Sequence, residues 1–135
     1  MLCQNKVYRF QIHYMTEFTA WCLFGSLLFN IVGIHYKFFP PKKFKWWGSG
    51  IRIPSALRNL DTWKEGNNYI ALPCLITGTL FIVIALLPEI FAEVDFFFFR
   101  YPSTLILLAV IILLLLTDRH LKKMFDENGN RKFKR

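Results

Sequence analysis

Three long stretches of this sequence, residues 18–36, 69–87 and 101–117, contain no Lys, Arg, Asp or Glu. A stretch of that length without charge is not the surface of a water-soluble domain. Cysteine is scarce: Cys3, Cys22 and Cys74 form no CxxC pair and no Cys/His cluster, and two of them sit inside apolar runs. A buried Cys of that kind is a small hydrophobe, so neither a metal site nor a required disulfide is expected. No nucleophile lies near a base and no carboxylate dyad appears, so no catalytic residues are assigned and an enzyme is not expected. The centres of the three runs also lack the acids and bases that proton and ion transport use.

What is present is apolar mass and positive charge. In 135 residues, 54% are hydrophobic and 15 are Phe, more than one small soluble domain has room to bury. The expected fold is all-α: a single membrane domain over residues 1–135 with three transmembrane helices, spanning about 18–36, 69–87 and 101–117. Each run has about the length a helix needs to cross the hydrocarbon core. The first run resembles a signal peptide in following Lys6 and Arg9. It is too long for such a segment, however, and leaves through His35-Tyr36-Lys37 without a small-residue cleavage site, so it reads as a retained helix. Pro73 is expected in the opening turn of the second span, where a missing N–H costs little. The third span has room to begin earlier, in Phe96–Phe99, with Arg100 snorkelling to the headgroups.

Of the 17 Lys and Arg, seven lie from Lys37 to Lys64 and seven follow Thr117. Both groups flank spans, the placement that the positive-inside rule uses to orient a chain, so they argue for lipid and against nucleic acid as partner. With three spans, the loop 37–68 and the tail 118–135 share one side and are expected in the cytoplasm. The N-terminus and the segment holding Glu89, Glu93 and Asp95 then face outward. Lys6 and Arg9 oppose this orientation; a start at Met15 would leave only Glu17 ahead of the first span.

The spans differ in their faces. Ser26, Asn30 and Gly33 share one side of the first helix. Cys74, Gly78 and Ala85 trace a small-residue stripe along the second, with Thr77 beside it. Stripes of this kind let helices approach closely and hydrogen-bond across the contact, so Ser26, Asn30, Gly33 and Gly78 are expected to serve helix packing. The third helix is nearly all Leu and Ile and reads as an outer, lipid-facing helix.

The most specific stretch is the loop before the second span. Trp46-Trp47 fits an interfacial anchor and Gly48-Ser49-Gly50 a flexible turn. Pro54 can start a helix, and Leu57, Leu60 and Trp63 recur at intervals of three. A short amphipathic interfacial helix is expected there, with Trp63 at the membrane surface and Asp61 and Glu65 in solvent. In the tail, Asp126-Glu-Asn-Gly-Asn130 lacks the spacing of a calcium loop and reads as a polar turn.

Gly50-Ile51-Arg52-Ile53-Pro54, then Leu57, Trp63 and Gly66-Asn67, followed directly by a transmembrane helix, resembles the signature of the SdpI immunity-protein family in its three-span form. Ile53 departs from that pattern where Thr is frequent, and Asn68 where a basic residue is common. The resemblance implies a bacterial cytoplasmic-membrane protein that gives immunity to a membrane-active peptide toxin, with a signalling role through a cytoplasmic partner. It also implies that Gly50, Arg52, Pro54, Leu57, Trp63 and Asn67 form a partner-binding loop. No cofactor is implied. The alternative is a small accessory subunit of a larger bacterial membrane complex, because three helices bury little among themselves.

Overall fold

A computed structural model describes residues 2–40, 50–86 and 101–132, with the side chains of the first helix described from Glu17 onward. The expected Trp46-Trp47 anchor, the start of the glycine turn, the Phe96–Arg100 segment, the acidic connection and the side chains of Cys3, Lys6 and Arg9 lie outside the described residues.

Three helices make up the described fold: α1 (Leu2–Phe38), α2 (Leu60–Ala85) and α3 (Pro102–Met124). Among the described residues there is no strand, only an isolated antiparallel bridge between Phe125 and Arg131. Glu17–Phe38, Leu60–Ala85 and Ser103–Met124 are each long and apolar enough to cross a membrane. The chain is a multi-pass membrane protein, and lipid accepts the outward Leu, Ile, Val and Phe side chains that water would reject.

The second helix begins at Leu60, well before the expected start of the span, and its first turn has a local cause. Asn59 is the N-cap: its side chain accepts the Thr62 N–H at 2.8 Å, while the Thr62 hydroxyl accepts the Asn59 N–H at 3.1 Å. This reciprocal pair satisfies two of the donors a helix start leaves open. The short interfacial helix is not observed. Residues 54–57 make a single turn, with the Ala56 and Leu57 N–H groups both reaching the Ile53 carbonyl, and the following residues lead straight into α2. Pro73 is therefore in the interior of α2 and not in its opening turn. It removes one helical hydrogen bond there, which membrane helices tolerate when neighbouring groups re-satisfy the backbone.

Helices α1 and α2 form the closest pair, joined by the small and weakly polar faces expected of them. Ser26 and Gly33 are buried and Asn30 half-buried on α1, against buried Cys74, Gly78 and Ala85 on α2. A Cβ on Gly33 would stand 2.8 Å from the Leu75 side chain, and one on Gly78 would run into the Asn30 carboxamide. The helices can approach this closely because those side chains are missing. Asn30 donates back to the Ser26 carbonyl at 3.0 Å, so its amide is satisfied within its own helix. Phe29 stacks on Phe81 at 5.7 Å between ring centres. The span of α3 is only 17% buried, against 33% for each of the others, which makes it the outer wall.

Candidate functional site

The motif segment closes one end of the helix pack, where the C-terminal ends of α1 and α3 meet the N-terminal end of α2. Its chain path is set by three features. Gly50 has a φ of +145°, which L side chains rarely adopt, and a Cβ there would lie 2.7 Å from the Trp63 ring. The glycine thus lets the backbone lie against the indole. Ile51, buried at 5% exposure, then turns into the core, and its N–H donates to the Asn67 Oδ1 at 2.9 Å. Asn67 in turn donates from Nδ2 to the Trp63 carbonyl at 2.7 Å. One buried carboxamide therefore ties the loop to the first turns of α2.

Trp63 is 2% exposed, so it is a core residue of this end and not a membrane-surface anchor. The helical register explains the correction. Because α2 starts at Leu60, Trp63, Asn67, Ile70 and Cys74 follow one another along its inner face. Leu60, expected to share the face of Trp63, is exposed at 43%, and Leu57 is half-buried in the turn. Arg52 and Pro54 are both exposed. The six motif residues thus divide: Gly50, Trp63 and Asn67 build the loop, Leu57 helps seat it, and Arg52 and Pro54 face outward. Arg52 also comes within electrostatic reach of Tyr36 at the end of α1.

Several residues outside the motif complete the site. The buried Ser55 hydroxyl donates to Asp118 Oδ1 at 2.5 Å, and Lys122 Nζ holds the other oxygen of Asp118 at 2.6 Å. The Thr62 hydroxyl donates to the Ala56 carbonyl at 3.0 Å from a fully buried position. Glu65, expected in solvent, is half-buried between α2 and α3: His120 Nε2 lies 3.3 Å from one oxygen and Arg131 Nη2 2.7 Å from the other. Tyr69 stacks on the His120 ring at 3.9 Å.

The tail folds back over this arrangement. Phe125 leaves the helix in extended conformation and is buried beside Ala56 and Leu121. Asp126–Asn130 makes the expected turn, with Gly129 at a φ of +80°. Arg58 donates to the Asp126 carbonyl at 2.7 Å and Asn59 Nδ2 to the Gly129 carbonyl at 2.7 Å. The Arg131 guanidinium lies 5.5 Å over the Phe125 ring. Asn130 donates its backbone N–H to the Asp126 carboxylate at 2.7 Å, which is the main reason that carboxyl is held below its ordinary pKa. Among the described residues no group of three or more His, Cys, Asp or Glu could hold a metal ion. Of these added residues, the Asn59/Thr62 cap, the Asp118/Lys122 pair one turn apart and the Asp126–Asn130 turn have local sequence signals; the contacts that join them to one another depend on chain segments far apart in sequence.

The model of the SdpI/YfhL protein family matches residues 44–117, which takes in the motif loop, all of α2 and α3 as far as Thr117, and stops before the tail. No curated protein and no solved structure matches the chain.

Proposed function

This chain belongs to the SdpI/YfhL protein family, and from that premise we propose that it protects its cell against a membrane-active peptide toxin. The protection works by binding, without an enzymatic step. The motif loop at the closed end of the helix pack is the partner-contacting part, and its outward residues Arg52 and Pro54 make the contact. The observation that carries this reading is the division of labour within the motif. A segment matched to the family uses a glycine, a tryptophan and an asparagine to hold one backbone path, and that path presents an arginine and a proline at the surface. Arg is suited to that task because its planar, always-charged fork pairs carboxylates and phosphates with defined geometry.

The distribution of Lys and Arg supports placing this end and the tail in the cytoplasm and the N-terminus outside, in a bacterial cytoplasmic membrane. On that orientation the loop meets cytoplasmic partners, which agrees with a signalling role beside protection, while the helices meet the toxin within the bilayer. Expression of the chain in cells sensitive to a membrane-active peptide toxin tests the proposal: survival should rise relative to cells carrying an empty vector. Unchanged survival, together with stoichiometric co-purification of other membrane subunits in mild detergent, would instead identify an accessory subunit of a larger complex.

A further inference from the structure

Apart from Arg52 of the motif, the described basic residues at this end fall into two groups. Arg58, Lys122, Arg131 and Lys132 are engaged inside the protein: Arg58 with the Asp126 carbonyl, Lys122 with Asp118, Arg131 with Glu65, and Lys132 with the Lys122 carbonyl. Lys37, Lys64, Arg119 and Lys123 are exposed, and no hydrogen bond or ion pair holds any of them among the described residues. Each helix end contributes to this second group. Lys37 closes α1, Lys64 opens α2, and Arg119 and Lys123 stand in the last turns of α3.

All four stand at the helix ends that meet at the motif end, the place where basic side chains flank apolar spans. On α3 they lie on the lipid side. Leu108, Ile112 and Leu115 are 45%, 47% and 55% exposed, and Arg119 and Lys123 continue the same face at three- and four-residue intervals. Leu113, Thr117 and Leu121, on the opposite face, are buried. Arg119 is about one turn below the last apolar residue of that face and Lys123 about one turn further, so the two bracket a single phosphate plane. Lys64 has the exposed Asp61 a turn before it, which weakens its field; the α3 pair has no acid on its own face.

We propose that Arg119 and Lys123 bind the phosphate of an anionic phospholipid against the outer face of α3, with Lys37 and Lys64 continuing a basic collar around the other helix ends. A lipid's acyl chains would lie along Leu108, Ile112 and Leu115 while its headgroup meets the two cations, so one molecule satisfies both parts of the surface. The collar is distinct from the outward residues of the motif and does not depend on the immunity reading.

The full chain, purified in mild detergent, is titrated with phosphatidylglycerol and, separately, with phosphatidylcholine of the same acyl chains, and retained lipid is read by native mass spectrometry. Wild-type protein should retain phosphatidylglycerol preferentially. Each cation near an anionic headgroup is worth a factor of about five, so R119Q/K123Q should lower that preference by about 25-fold and Lys123→Gln alone by about fivefold. Thermal unfolding should be unchanged, since neither residue touches the core. Lys132→Gln, which removes a tail charge engaged elsewhere, should leave the preference intact. Equal retention of the two lipids by the wild type, full preference in R119Q/K123Q, or an equal loss in Lys132→Gln would overturn the proposal. Displacement of phosphatidylglycerol by millimolar inorganic phosphate would overturn it as well, by marking a free-anion site.

Discussion

Asn67 and Ile51 are joined across the motif by one buried hydrogen bond, from the Ile51 N–H to the Asn67 Oδ1 at 2.9 Å. The same carboxamide donates to Trp63 one helical turn earlier. Both polar ends of the side chain are therefore used, and the loop path depends on an interaction that no apolar residue can replace. Asn67→Ala should leave the Ile51 N–H buried without its partner, at a cost of about 2 kcal/mol. Reversible unfolding in detergent should show this loss, whereas Asn68→Ala at the exposed neighbouring position should change little.

Gly50 and Gly66 provide an internal comparison of two glycines at the same end. Gly50→Ala puts a side chain at a φ of +145° and within 2.7 Å of the Trp63 ring. It should destabilise the protein by at least about 2 kcal/mol, since positive φ alone costs a residue on the order of 1–3 kcal/mol. Gly66→Ala presses only on the flexible end of the Leu121 side chain, at 3.3 Å, and makes ordinary contact with Ala56 and Thr117 at 3.5 and 3.9 Å, in a helix that favours Ala. Thermal melts of the two variants should differ widely, with Gly66→Ala close to wild type.

Glu65 holds the tail through Arg131, so Glu65→Gln should loosen the tail more than the helices. A partly exposed ion pair contributes only about 0–1 kcal/mol, and global stability should fall by no more than that. Hydrogen exchange at the backbone amides of residues 126–131 should nonetheless accelerate, and protease should cut the tail sooner.

Acid should open the same tail turn for a different reason. The Asp126 carboxyl is held below its ordinary value of 3.8, chiefly by the Asn130 N–H. A depressed carboxyl stabilises the folded turn above its unfolded pKa and loses that contribution as pH falls through the folded value. Exchange at Gly129 and Asn130 should therefore rise below about pH 4, with no contribution from this carboxyl to changes between pH 5 and 8.

The three spans are legible in the sequence because a charge-free apolar run of helical length suits a bilayer and little else. The i, i+4, i+7 spacing of Ser26, Asn30 and Gly33 likewise locates the packing face of α1. The interfacial helix that periodicity predicts is absent for an identifiable reason. Leu57, Leu60 and Trp63 have a helical interval, but the Asn59/Thr62 cap falls between them and divides a turn from a helix. That cap is readable in the sequence and outweighs the periodicity. Once α2 starts at Leu60, Trp63 points inward and Pro73 moves into the helix interior. The contacts of Glu65 with His120 and of Asn59 with Gly129 join residues 55 and 70 positions apart. No local pattern announces such pairs, and the tail's part in the site is visible only in three dimensions.

The buried position of Trp63 decides how the central claim is tested. A Trp63 variant would report folding of the closed end, because 2% exposure leaves little of the ring for a partner. Arg52 is the informative residue: it is exposed and lies on a path held by Gly50 and Asn67. The direct measurement is survival of toxin-challenged cells carrying Arg52→Ala or wild-type protein at matched membrane levels. Proposed partner contact through Arg52 predicts that the variant inserts at the same level as wild type but loses protection by at least about tenfold, the worth of one charge-assisted contact. Full protection by Arg52→Ala at equal abundance would contradict the account.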